Sequence, residues 1–270
     1  MTSGNPTVQQ PKSGVNRRFS TIRCISALAL REMATRYGKS PGGYIWAIVE
    51  PMGMIVILAL AFSLLVRTPS LGNSFLLFYA TGYLPFNLYQ TISSFMAYSI
   101  AFSKPLLFYP AVTWTDAILA RFILNALTGI LVMFILLTAI SIVVDTRVVI
   151  TIEPLVISIF LALLLAAGVG MLNCVLFGLY PVWVQIWSIA TRPLFIISGV
   201  LFIYEDLPKA VQDILWYNPL MHVTGLARKG FFPTYHASYV DVTYVIICGL
   251  VPLFLGVVLM GRYHRDILNS

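Results

Sequence analysis

The sequence predicts an all-α integral membrane protein. It has six transmembrane helices, an amphipathic interfacial helix ahead of the first, and a re-entrant helical hairpin between the fifth and sixth. Three observations carry this. First, 59% of the 270 residues are hydrophobic and 10% charged, against about half and a quarter in a soluble domain, and the mean hydropathy is +0.88. Second, six apolar runs approach the ~20 residues that a helix needs to cross a bilayer. Third, basic residues crowd ahead of the first run. A soluble globule of this size lacks the polar surface to cover so much apolar side chain, so a water-soluble enzyme is excluded. Disorder is excluded by the same composition. Continuous apolar stretches such as Ile130–Leu137 exclude a transmembrane β-barrel, whose strands alternate.

Residues 1–43 read as a cytoplasmic N-terminal segment. The first 18 are polar and contain no apolar stretch of the kind a secretory signal needs. Over Phe19–Tyr37 a helical wheel puts Phe19, Ile22, Ser26, Ala29, Leu30, Met33 and Tyr37 on one face. Arg18, Thr21, Arg31, Glu32, Thr35 and Arg36 fall on the other, and Arg23, Ile25 and Leu28 break the pattern. An Arg-rich helix of this kind lies along a membrane surface. The competing reading is a cytoplasmic helix packed on its own protein.

Residues 44–270 form the transmembrane domain, with spans expected at 44–66, 75–98, 117–144, 154–179, 183–204 and 242–260. Only Glu50, Arg121 and Arg192 carry charge inside these windows. Seven of the 17 basic residues precede residue 44; with Lys104, Arg262 and Arg265 they place ten on one side, against Arg67, Arg147, Lys209, Arg228 and Lys229 on the other. Positive charge favours the cytoplasmic side, so both termini are expected there. This distribution also replaces nucleic acid as the reason for the net charge of +7.

Two connections stand out. Ala101–Asp116, on the inner side, contains Lys104-Pro105 and Tyr109-Pro110, which limit helix continuation. Glu205–Asp241, on the outer side, is too long and too apolar for a plain loop. Ala210–Tyr217 and Leu220–Phe232 read as short helices separated by Asn218-Pro219, each well under a full span. No internal repeat is visible, so a symmetric pathway requires a homodimer.

Chemistry is sparse. Gly38-Lys39-Ser40 resembles the end of a phosphate-binding loop, but that loop needs a glycine five positions earlier, where Met33 stands. His222, His236 and His264 are scattered, and Cys24, Cys174 and Cys248 form no C-x-x-C pair. The sequence therefore predicts no catalytic residues, no metal site and no cofactor in this chain. Tyr44, Trp46, Tyr98, Trp183, Trp187, Tyr204, Trp216 and Tyr217 lie near span ends or in the outer hairpin. They read as an interfacial belt, with a minority available to stack on sugar rings.

The stretch from Leu30 to Pro51 contains Arg36-Tyr37-Gly38-Lys39-Ser40, a turn, and Trp46-Ala47-Ile48-Val49-Glu50-Pro51. With Arg192-Pro193-Leu194-Phe195 and Asn218-Pro219-Leu220-Met221-His222, it resembles ABC-2 type permeases of polysaccharide exporters. The likeness is to capsular polysaccharide permeases ahead of those for O-antigen and teichoic acid, and it covers most of residues 25–265. Gly43 departs from the leucine expected at that turn. The resemblance implies a type V exporter-like fold in a bacterial inner membrane. It implies a homodimer paired with two copies of a separate ATPase that binds ATP and Mg, a lipid-linked polysaccharide substrate, and periplasmic and outer-membrane export partners. Arg31, Phe102, Lys104 and Tyr109 become candidates for ATPase coupling, and Asn218, Pro219, Arg228 and Lys229 for an outer gate. A stand-alone channel or secondary carrier would instead need charges in several spans, and a lipid-modifying enzyme would need clustered acids or histidines.

Glu50 and Arg192 lie roughly 9 and 13 Å from the cytoplasmic ends of spans one and five at 1.5 Å per residue. A charge near mid-membrane normally finds a partner or water. Either the two residues pair with each other, or Arg192 faces the conduit or a lipid headgroup. Arg121, nearer its span end, can snorkel and is assigned no special role.

Overall fold

The computed structural model describes residues 20–37, 43–108, 112–144 and 150–269, and contains no strand among them. The helices are α1 (Ser20–Tyr37), α2 (Ile45–Leu65), α3 (Phe75–Ala97), α4 (Ser99–Leu107), α5 (Trp114–Val143) and α6 (Ile152–Leu179). They continue with α7 (Pro181–Thr191), α8 (Leu194–Ile197), α9 (Lys209–Leu215), α10 (Pro219–Phe231) and α11 (Val242–Asn269).

Local chemistry sets several boundaries. α5 opens three residues before the apolar count suggested, because Thr113 and Asp116 form a reciprocal capping box. Ser74 caps α3 by accepting from the Leu77 N–H, and Asn218 caps α10 by accepting from the Leu220 N–H. Pro181 and Pro219 occupy the first turns of α7 and α10, where a missing N–H costs nothing. α11 runs past residue 260 to Asn269. Hydropathy ends the sixth span at the Arg262 and Arg265 charges, but charge does not end a helix.

Among the described residues, four helices are long and apolar enough to cross a membrane: α2, α5, α6 and α11. α3 has the length, 23 residues, but carries Thr81, Asn87, Gln90, Thr91, Ser93 and Ser94. It is largely enclosed by protein, packed between α2, α5, α6 and α10, so lipid makes little demand on its composition.

α6 packs most extensively on α11 and α3. The approach is close enough that a Cβ at Gly168 would strike the Gly249 carbonyl of α11, and one at Gly170 would crowd Ser93 of α3. Leu161, Ala162, Leu165, Ala166 and Val175 complete this core. A second core joins α2, α3 and α5 through Ile55, Leu84, Met133 and Leu136. Leu60 and Leu64 of α2, Leu127 and Phe134 of α5, Phe160 of α6 and Phe254 of α11 point outward, an apolar surface suited to lipid.

The expected fifth span, 183–204, is not one helix. α7 ends at Thr191, Arg192 and Pro193 interrupt it, α8 makes a single turn, and residues 198–203 are non-helical. Pro193 cannot donate to the preceding turn, and Gly199 takes a left-handed φ of 71°, where a Cβ would also hit Met221.

Candidate functional site

α1 follows the helical expectation but presents two faces. Cys24, Ile25, Leu28 and Glu32 turn toward the protein, and α1 packs on α5. Ile22 and Leu30 stay 62% and 64% exposed, with Met33 beside them. The residues that broke the amphipathic pattern, Ile25 and Leu28, are therefore the ones that dock, and the outward stripe remains for a membrane surface or a partner. Burial pushes the Cys24 thiol up, helped by the neighbouring Asp116 carboxylate at the start of α5.

The docking is anchored by charge. Arg121 Nε meets Glu32 Oε2 at 3.0 Å, with side chains 7% and 4% exposed. Arg121 Nη1 donates to the Phe95 carbonyl of α3 at 3.0 Å. The same guanidinium lies 4.1 Å from the Phe102 ring centroid of α4 and 5.8 Å from that of Phe95. Arg31 approaches the Phe102 ring at 5.4 Å. One arginine thus gathers α1, α3, α4 and α5. Arg121 does not snorkel, because a carboxylate reaches it from α1 before water does. The sequence signal was available: Glu32 is the single acid of α1 and Arg121 the single base of α5.

Of the coupling candidates, Arg31 and Phe102 join this cluster. Lys104 sits on the other side of α4, beside a cavity of about 250 Å³ bounded by Tyr98, Phe177 and Ile267. Tyr109 lies outside the described residues.

Glu50 and Arg192 do not pair. α2 packs on α3 and α5, whereas α7 packs on α6, and both side chains are exposed. Among the described residues the ion pair is Glu32–Arg121. Glu50 borders a small polar cavity of about 80 Å³ with Asn87, Thr91, Asn125 and Thr128. Arg192 sits at the break between α7 and α8.

The connection expected on the outer side contains two short helices near where the sequence placed them, α9 and α10, but α10 is packed into the body against α3 and α6. Its side chains stitch the non-helical segment. Asn218 Nδ2 donates to the Ile197 carbonyl at 3.0 Å, Thr224 Oγ1 to that of Ser198 at 2.9 Å, and Arg228 to those of Val200 and Phe202 at 2.9 and 2.6 Å. Backbone away from water needs such donors.

Arg228, a candidate for the outer gate, is buried instead of solvated. It is 1% exposed and stacks 4.3 Å from the Phe78 ring centroid: four carbonyls released by the broken helix need donors, and Arg228 serves two of them. Lys229 is exposed and borders a cavity of about 720 Å³ with Glu153 and His236.

The hairpin aromatics are largely internal. Tyr204 stacks on Tyr239 at 4.1 Å and Trp216 on Tyr244 at 5.0 Å. Trp216 donates its indole N–H to the Tyr239 carbonyl. His222 is fully buried; its Nδ1 accepts from the Asp241 N–H at 3.1 Å and its Nε2 lies 2.8 Å from the Trp216 carbonyl. The backbone donor fixes Nδ1 as the bare nitrogen and Nε2 as the protonated one. Tyr204 and Trp216 therefore tie the hairpin to the chain that follows, whereas the Tyr217 side chain stays exposed.

A helical membrane body, a charged anchor for α1 and α4 at one end, and a stitched broken helix at the other define a membrane-embedded helical subunit. The chain belongs to the ABC-2 type transporter family, which it matches over residues 23–232. It is similar to the polysialic acid transport protein KpsM of Escherichia coli, 30% identical over 246 residues, 91% of this chain and 95% of that protein. The capsule polysaccharide export inner-membrane protein CtrC of Neisseria meningitidis is 26% identical over 91% of this chain and 92% of its own length. BexB of Haemophilus influenzae, of the same description, is 27% identical with the same coverage.

Proposed function

We propose that this chain is the permease subunit of an ATP-binding cassette exporter that moves a lipid-linked capsular polysaccharide from the cytoplasm across the bacterial inner membrane. The observation that carries this reading is the similarity to KpsM across 91% of the chain. The subunit forms a homodimer and pairs with two copies of a separate ATPase, which binds ATP and Mg. Periplasmic and outer-membrane export proteins receive the polymer.

In this reading the chain crosses six times: the four long apolar helices, α3, and the broken α7–α8 unit. Both termini are cytoplasmic, as the ten-to-five basic count favours. α1 lies in the inner interface on its Ile22–Leu30–Met33 stripe, and α4 caps the first inner connection. These two helices meet the ATPase through Arg31, Phe102 and Lys104, with Tyr109 a further candidate from the sequence. The α9–α10 hairpin re-enters the outer leaflet near the dimer axis. Asn218 and Pro219 set its hinge, and Lys229 faces the exit. Glu50 and Arg192 supply polar surface within the membrane body.

Deletion of the gene in its native host, followed by chemical analysis of the retained polymer, tests the assignment. Capsular polymer is expected to accumulate inside the cell. Accumulated O-antigen or teichoic acid moves the substrate to those classes. Transport by the purified chain without any ATPase makes it a stand-alone carrier.

A further inference from the structure

Four elements converge on the Arg121 guanidinium: Glu32 of α1, the Phe95 carbonyl of α3, the Phe102 ring of α4, and α5, which carries Arg121 itself. Two of these, α1 and α4, are the helices assigned above to the ATPase. Neither is built to hold its position alone. α4 has nine residues, below the length at which a helix persists without tertiary support. α1 docks on α5 with one face only.

The ion pair is nearly closed to solvent, so water cannot replace either partner when the helices shift. Glu32 Oε1 and Arg31 Nη1 are also buried, without a hydrogen-bond partner among the described residues. A fully satisfied structural staple would leave neither atom open. These two open atoms lie beside the held charge, so the cluster is not optimised for stability alone.

We infer that Arg121, through Glu32 and Phe102, is the positioning residue that makes α1 and α4 move as one body with α5, so that force from the ATPase enters the membrane helices at a single point. This rests on the proposed ATP-driven export. Arg121 touches neither ATP nor polymer; it acts by holding the two docking helices in register with the third crossing.

The test uses the full permease–ATPase complex in proteoliposomes. The polymer exported per ATP hydrolysed is measured for Arg121→Gln, Glu32→Gln, Arg121→Lys, and the swap Glu32→Arg with Arg121→Glu. A second measurement takes the distance distribution between spin labels at Ala27 of α1 and Ala101 of α4, both exposed, with Cys24, Cys174 and Cys248 replaced by alanine. In the wild type that distribution is expected to be narrow and unchanged by ATP. The neutral variants should lower the export-to-hydrolysis ratio about tenfold and broaden the distribution, and the swap should recover part of the ratio.

Loss of assembled complex with an unchanged ratio reduces the pair to a structural staple and overturns the inference. A wild-type α1–α4 distance that changes with ATP overturns it directly, and decides the matter even where the variants fail to fold. A wild-type complex that hydrolyses ATP without export sinks the proposed function instead, while the distance measurement still judges the α1–α4 unit.

Discussion

Arg228 Nη1 donates to the Phe202 carbonyl at 2.6 Å, from a side chain that is 1% exposed. The bond joins the last turn of α10 to backbone that has left the helix, and its twin to Val200 extends the stitch. Removing the arginine orphans two carbonyls, at about 1–3 kcal/mol each. Arg228→Met is expected to lower the melting temperature in detergent by about 10 °C, and Arg228→Lys, which lacks the planar fork, by roughly half of that. Lys229→Ala should melt like the wild type. A melting temperature unchanged in Arg228→Met would show that the segment does not depend on α10.

Arg192 is exposed at the α7–α8 break and does not meet Glu50. No buried partner is lost when its charge is removed. Arg192→Gln should therefore leave the amount of folded protein within about 20% of wild type, since exposed substitutions usually stay within ±0.5 kcal/mol. Export of an anionic polymer should fall several-fold if this charge faces the path. Quantitative immunoblotting beside polymer export separates the two effects. Loss of protein instead points to a partner supplied by the second copy of the chain.

His222 gives the hairpin a pH response. Burial holds its imidazole below the usual range, against the opposing pull of the Trp216 carbonyl and Asp241. The unfolded chain takes up a proton near pH 6.5, while the folded chain resists until the pH is lower. The unfolded state then binds more protons, so stability is full above about pH 6.5 and declines as the pH falls through the depressed folded value. Melting curves between pH 8 and 5 should show this slope in the wild type and a flatter one in His222→Gln. Parallel slopes would remove His222 as the source.

Ser238, exposed in the chain between α10 and α11, and Arg262, exposed near the end of α11, test the orientation. A cysteine at 238 should react with an impermeant maleimide in intact spheroplasts, and one at 262 only after permeabilisation. The reverse pattern inverts the topology.

The sequence by itself determined whatever depends on neighbours along the chain. Apolar runs located α2, α5, α6 and α11 because hydrocarbon selects composition residue by residue. Thr113-x-x-Asp116 opens α5 and Asn218-Pro219 opens α10, because caps and prolines act within one turn. The resemblance around Arg36–Pro51 pointed to the family for the same local reason. Tertiary structure decided the fate of every charge. Arg121 finds Glu32 across 89 residues, and Arg228 finds carbonyls 26 and 28 residues back. Glu50 and Arg192, which depth alone would have paired, sit on elements that pack on different neighbours, α2 on α3 and α5, and α7 on α6. A buried charge takes whichever acceptor the packing brings within about 3 Å, and sequence spacing does not encode which helices touch.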